Sequence, residues 1–110
     1  MHDISIHRDQ KSGLLKARIS PANKVLEEFL ETEIQNDLRV IDYLTERTLD
    51  AAIHYVDTTG NAFSLKLTAD SYFITPLYEN DIPPQEGPLD EFLYLLNQWR
   101  DFLKKENMQF

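Results

Sequence analysis

Residues 20–46 read SPANKVLEEFLETEIQNDLRVIDYLTE, and the point where this stretch stops being helical decides the fold. Ser20-Pro21 is a helix-start signal. A serine side chain can accept from free first-turn amides, and proline at the first helical position gives up an N–H that has no partner there. Val25, Leu26, Phe29, Leu30 and Ile34 then recur at helical spacing. Carried past residue 35, the same helix would put Glu33 and Asp37 on the apolar stripe beside Leu26 and Leu30. Burying unpaired carboxylates is costly. The break is therefore expected near Asn36, a residue that tolerates the left-handed conformation of a C-cap. Beyond it, the stretch from Leu38 to Thr45 is apolar on both faces, as a central strand would be. A single helix running to Glu46 is the alternative, because Leu38, Ile41 and Leu44 also keep helical spacing.

Working outward towards the N-terminus, Ile4 and Ile6 alternate with Asp3, Ser5 and His7. Residues 9–13 are turn chemistry, and residues 14–19 resume the apolar pattern, so this pair reads as a hairpin. Towards the C-terminus, residues 49–57 carry Ile53, Tyr55 and Val56 and read as a strand. Thr58-Thr59-Gly60-Asn61 is a turn, and Phe63, Leu65 and Leu67 alternate with polar residues in the clearest strand of the chain. Residues 72–79 are a further strand, and Pro76 within it points to an edge, since proline cannot donate to a ladder. Residues 80–88, with Pro83, Pro84 and Pro88, form a stiff extended connection.

The last element is a helix with Phe92, Leu95, Leu96, Trp99, Phe102 and Leu103 on one face. Asp90 and Glu91 sit near its start and Lys104 and Lys105 near its end, as the helix dipole prefers. The order is then ββαββββα. The expected class is α+β: one antiparallel sheet of about five to six strands with two helices on one face, in a single domain spanning 1–110.

Composition narrows the function classes. The chain has no cysteine, which removes disulfides, thiolate nucleophiles and thiolate metal sites, and fits a reducing, cytoplasmic setting. No basic stretch followed by an apolar run opens the chain, and no apolar run approaches the roughly 20 residues of a membrane helix. The net charge is −8, placed unevenly: residues 1–20 are net +2, residues 21–57 net −6 and residues 58–110 net −4. Nucleic acid and anionic membranes draw on clustered Lys and Arg, so neither is expected as a partner. A basic protein partner is expected instead.

Catalytic signals are missing from the sequence. No His-x-x-x-His, EF-hand loop, glycine-rich phosphate loop or Gly-x-Ser-x-Gly elbow occurs. His2 sits at the terminus, and His7 alternates outward with Ser5. His54 depends on register: a three-residue loop after Thr58 pairs Tyr55 with Leu65, and a two-residue loop pairs Val56 with Leu65 and swaps the face of His54. No catalytic, metal or cofactor-binding residue is assigned, and the chain is read as a non-enzyme.

The candidate partner-binding residues are the helical acids Glu27, Glu28 and Glu31, the loop residues Tyr78, Glu79, Asp81 and Glu86, and Tyr94 on the polar side of the last helix. The leading expectation is an acidic protein-binding module, such as an immunity or inhibitor protein that masks a basic toxin or nuclease, as a monomer or homodimer. The alternatives are an acidic chaperone or adaptor for a secreted or assembling protein, or a small ligand-binding or enzymatic domain with a pocket between sheet and helices.

Overall fold

The computed structural model describes residues 3–79 and 81–107. The elements are β1 (Asp3–Arg8), β2 (Leu15–Ser20), α1 (Lys24–Phe29), a π-helical turn (Leu30–Ile34), α2 (Leu38–Asp50), β3 (Val56–Thr59), β4 (Phe63–Leu67), β5 (Ser71–Pro76), β6 (Gln85–Pro88) and α3 (Leu89–Asn107). The class is α+β with antiparallel pairing throughout. Six strands form two sheets, β1-β2 and β3-β4-β5-β6, in place of the one sheet expected. Both α1 and α3 touch strands of both sheets, α1 through β2 and β5 and α3 through β1, β5 and β6. These helices therefore lie between the sheets, not on one face of a single sheet.

The N-terminal hairpin obeys its alternation. Ile4 faces Ile19 and Ile6 faces Ala17, and the outward set of Ser5 and His7 is exposed. The first helix starts at Lys24, later than Ser20-Pro21 suggested. Asn23 is its N-cap, and the Asn23 Oδ1 accepts from the Leu26 amide at 3.1 Å. Leu26, Phe29, Leu30 and Ile34 are buried.

The chain breaks where the carboxylates demanded it. Gln35 holds the positive φ, 46°, one residue before the expected Asn36. Asp37 becomes the cap of the next helix, accepting from the Arg39 amide at 2.9 Å. The Arg39 side chain holds the Asp37 carboxyl below its ordinary range. From Leu38 onward the chain is helix, and the strand expected over residues 38–45 is not formed. Ile41, Leu44 and Thr48 are the buried positions of α2, at i, i+3, i+7. The two-sided apolar pattern has a different cause: Leu38 and Val40 are half-buried against the core, and Tyr43 on the outer surface is 44% exposed. The strand expected from Leu49 is also shortened, since α2 runs to Asp50 and β3 begins only at Val56.

Register in the second sheet pairs Val56 with Leu67 and Thr58 with Leu65. Neither register considered for this hairpin is the one adopted, since Leu65 faces Thr58 and not Tyr55 or Val56. His54 precedes β3 and is exposed. β5 is central, not an edge, because residues 85–88 of the stiff connection pair with it as β6. Pro76 is tolerated there because it is the last residue of β5 and lies beyond residues 71–74, which pair with β6.

The core joins all layers. Trp99, Phe92, Leu95 and Leu96 of α3 are at most 1% exposed. Phe29 meets Phe63 edge-on at 6.0 Å between centroids, and Phe92 lies 5.9 Å from Phe29 and 5.5 Å from Tyr72. The Trp99 indole N–H donates to the Gln35 main-chain oxygen at 2.7 Å, fixing α3 to the break between α1 and α2. Phe102, expected in the core, is half-buried, and Glu91 is buried at 5% exposure.

Candidate functional site

Three of the four acids in residues 27–33, Glu27, Glu31 and Glu33, turn to main-chain amides. The Glu27 carboxylate accepts from the Ile19 amide at 2.8 Å, and Glu31 accepts from the Ala17 amide at 2.8 Å. Gln35 completes the row: its Oε1 accepts from the Leu15 amide at 3.0 Å and its Nε2 donates to the Leu15 oxygen at 2.9 Å. The spacing has a geometric reason. Four residues of helix advance about 6 Å, and two residues of strand advance about 6.6 Å. An acceptor at every fourth helical position therefore keeps step with the amides that β2 turns away from β1. Of the three acids expected as a helix face for a partner, Glu27 and Glu31 close a sheet edge and Glu28 does not.

Glu33 does a similar job at the other sheet. Its carboxylate accepts from the Asn61 amide at 2.9 Å and from the Ala62 amide at 3.2 Å. A Cβ at Gly60 would lie 1.4 Å from Glu33 Oε2, so a side chain there would push the carboxylate off these amides. Glu33 also lines a cleft of about 340 Å³ between α2 and the β3–β4 turn, with Val40, Tyr43 and Asn61.

Other expected site residues converge elsewhere. A second cleft, of about 280 Å³, lies between the start of α1 and the segment that joins β5 to β6. Glu28 and Glu79 line it, with Val25, Pro76 and Ile82 as apolar walls. Lys24 pairs with Glu28 at 3.7 Å, but its side chain is 81% exposed. A contact that exposed is weak and readily exchanged. Tyr78, next to Glu79, is 80% exposed.

The remaining candidates fall outside this cleft. Asp81 is exposed on the same connection and does not line the cleft. Glu86 is exposed at the β6 position paired with Phe73, opposite in direction to the half-buried Gln85 that lines the cleft. Tyr94 does not stand on a polar surface. It is half-buried and packs against the core.

His54 and Tyr55 are exposed, and neither they nor Tyr72 line the clefts beside Glu33, Glu28 or Ile4. His2 lies outside the described residues. Tyr72 is fully buried, and burial pushes its hydroxyl up to about 12. Gln85 approaches that hydroxyl and partly opposes the shift, without reaching hydrogen-bond geometry. Among the described residues, no three His, Asp or Glu side chains gather as metal ligands, and no helix is long and apolar enough to cross a membrane.

Comparison with protein-family models, with curated protein sequences and with solved structures gives no match, so no function is transferred from a relative.

Proposed function

We propose that this chain is a non-catalytic, acidic protein-binding module that engages a basic partner at the cleft between α1 and the β5–β6 connection. The observation that supports this reading is that Glu28 and Glu79 line one cleft with the apolar walls of Val25, Pro76 and Ile82, where the one lining base, Lys24, is largely exposed. Two carboxylates above an apolar floor suit a lysine or arginine side chain, whose stem packs on hydrocarbon while its charge meets an acid. Tyr78, exposed beside them, is the kind of side chain that anchors interfaces. The net charge of −8 would speed encounter with a basic surface. An immunity or inhibitor protein that covers a basic toxin or nuclease in the cytoplasm is the concrete form of this reading.

The test is capture from the native host at low and high salt, run in parallel with the chain and with a Glu28→Gln/Glu79→Gln variant. A basic protein should be retained at low salt by the native chain, released as salt rises, and retained far less by the variant. Equal capture by both, or capture of no basic protein, sinks the reading.

A further inference from the structure

The two edges of the β1-β2 hairpin are treated differently. On β2, the outward amides of Leu15, Ala17 and Ile19 are met by Gln35, Glu31 and Glu27. In an antiparallel pair, directly opposed residues point their main-chain groups the same way, both inward or both outward. Ile6 opposes Ala17 and Ile4 opposes Ile19, so Ile4 and Ile6 turn their N–H and C=O groups away from β2. Among the described residues nothing meets those groups. β1 has no proline, lysine or bulge of the kind that protects edges. A cleft of about 310 Å³ between β1 and α3 is lined by Ile4, Ile6, Gln98, Asp101, Phe102 and Lys105.

We infer that β1 is the self-association edge of this protein, pairing antiparallel with β1 of a second copy about a two-fold axis at Ser5. The register comes from the sequence DISIHR. Centred on Ser5, it sets Ile4 against the second copy's Ile6, and each such pair exchanges two main-chain hydrogen bonds. It also sets Asp3 against the second copy's His7, on the exposed face. A slip of two residues in one direction opposes Ile4 to Arg8, and in the other shortens the pairing. The rim of the cleft carries one acid, Asp101, and one base, Lys105, so it can complement a copy of itself. The joined hairpins make a four-stranded sheet with four isoleucines side by side next to Phe102. This surface is separate from the Glu28–Glu79 cleft and stands or falls independently of it.

The absence of cysteine makes the test specific. At a two-fold, Ser5 opposes itself as a non-hydrogen-bonded pair, whose Cα separation of about 4.5 Å suits a disulfide. Ser5→Cys should oxidise to a covalent dimer, and Thr59→Cys, exposed on β3, should not. By light scattering the native chain should show twice its 12.9 kDa mass. Ser5→Lys, which opposes like charges on an exposed position, should return it to the single mass with unchanged circular dichroism. A native chain that stays monomeric, with Ser5→Cys failing to cross-link, overturns the inference and leaves the edge to a foreign extended segment. A dimer that persists in Ser5→Lys and does not cross-link through Ser5→Cys overturns it as well, because the contact then lies on another face.

Discussion

Gln35 meets Leu15 as a neighbouring strand would, with one hydrogen bond accepted from the Leu15 amide at 3.0 Å and one donated to its oxygen at 2.9 Å. The same residue carries the positive φ that ends the first helical segment, and its own oxygen accepts from Trp99. One position therefore closes the sheet edge, turns the chain and docks the last helix. Gln35→Ala should cost about 1–3 kcal/mol, because it strands the half-buried edge groups of Leu15 without a partner. Glu31→Ala should cost a similar amount through the Ala17 amide, and Glu31→Gln much less, since an amide oxygen can still accept. Urea midpoints for the three variants check the order.

Trp99 is fully buried, and its indole N–H reaches across the core to Gln35. Trp99→Phe keeps most of the ring volume but leaves the Gln35 oxygen short of a donor, for an expected loss of about 1–3 kcal/mol. Trp99→Ala adds a cavity and should lose about 3–5 kcal/mol. Equal melting temperatures for the two variants would mean that the hydrogen bond, not the packing, carries the whole effect.

Much of this architecture is legible in the sequence because it rests on local pattern. The buried face of α3 is set by Phe92, Leu95, Leu96, Trp99 and Leu103, whose spacing has one reading. The break near residue 36 comes from the cost of burying Glu33 and Asp37. The errors come from elements whose shape is set by distant partners. Leu38, Val40 and Tyr43 mimic a two-sided strand, and only their surroundings show that helix α2 leaves Tyr43 outside. β6, Gln85–Pro88, has no apolar alternation and is a strand only because β5 lies beside it. At the surface, Glu28 and Glu79 line one cleft although 51 residues apart in the chain, a juxtaposition that no local signal carries. The i, i+4, i+8 row of Glu27, Glu31 and Gln35 is visible in sequence, but its amide partners are not.

Arg8 gathers three parts of the chain. It donates to both carboxylate oxygens of Glu106 near the end of α3, to the Asn36 side chain at 2.8 Å and to the Gly13 oxygen at 2.6 Å. The hydrogen bond from Arg8 holds the Glu106 carboxyl below its ordinary value. A carboxyl depressed in the folded state binds its proton more readily when unfolded. Its contribution to stability is therefore present above the unfolded value of about 4.3 and is lost as pH falls through the folded value. Glu106→Gln should lower stability at neutral pH and flatten the acid side of the stability–pH curve, with no change in slope above neutrality. Denaturant titrations at a series of pH values read this directly.

Gly60 and Glu33 should couple. An alanine at residue 60 puts its Cβ where Glu33 Oε2 now lies, so the carboxylate must swing away from the Asn61 and Ala62 amides. Gly60→Ala should then cost about 1–3 kcal/mol, mostly through those two amides. In a Glu33→Ala background the obstruction and the acceptor are both gone, and the same substitution should cost little. A double-mutant cycle isolates this term, the double variant costing about 1 kcal/mol or more less than the sum of the two single variants. If Gly60→Ala costs the same in both backgrounds, its effect comes from the backbone of the turn, and the carboxylate is not what requires a glycine there.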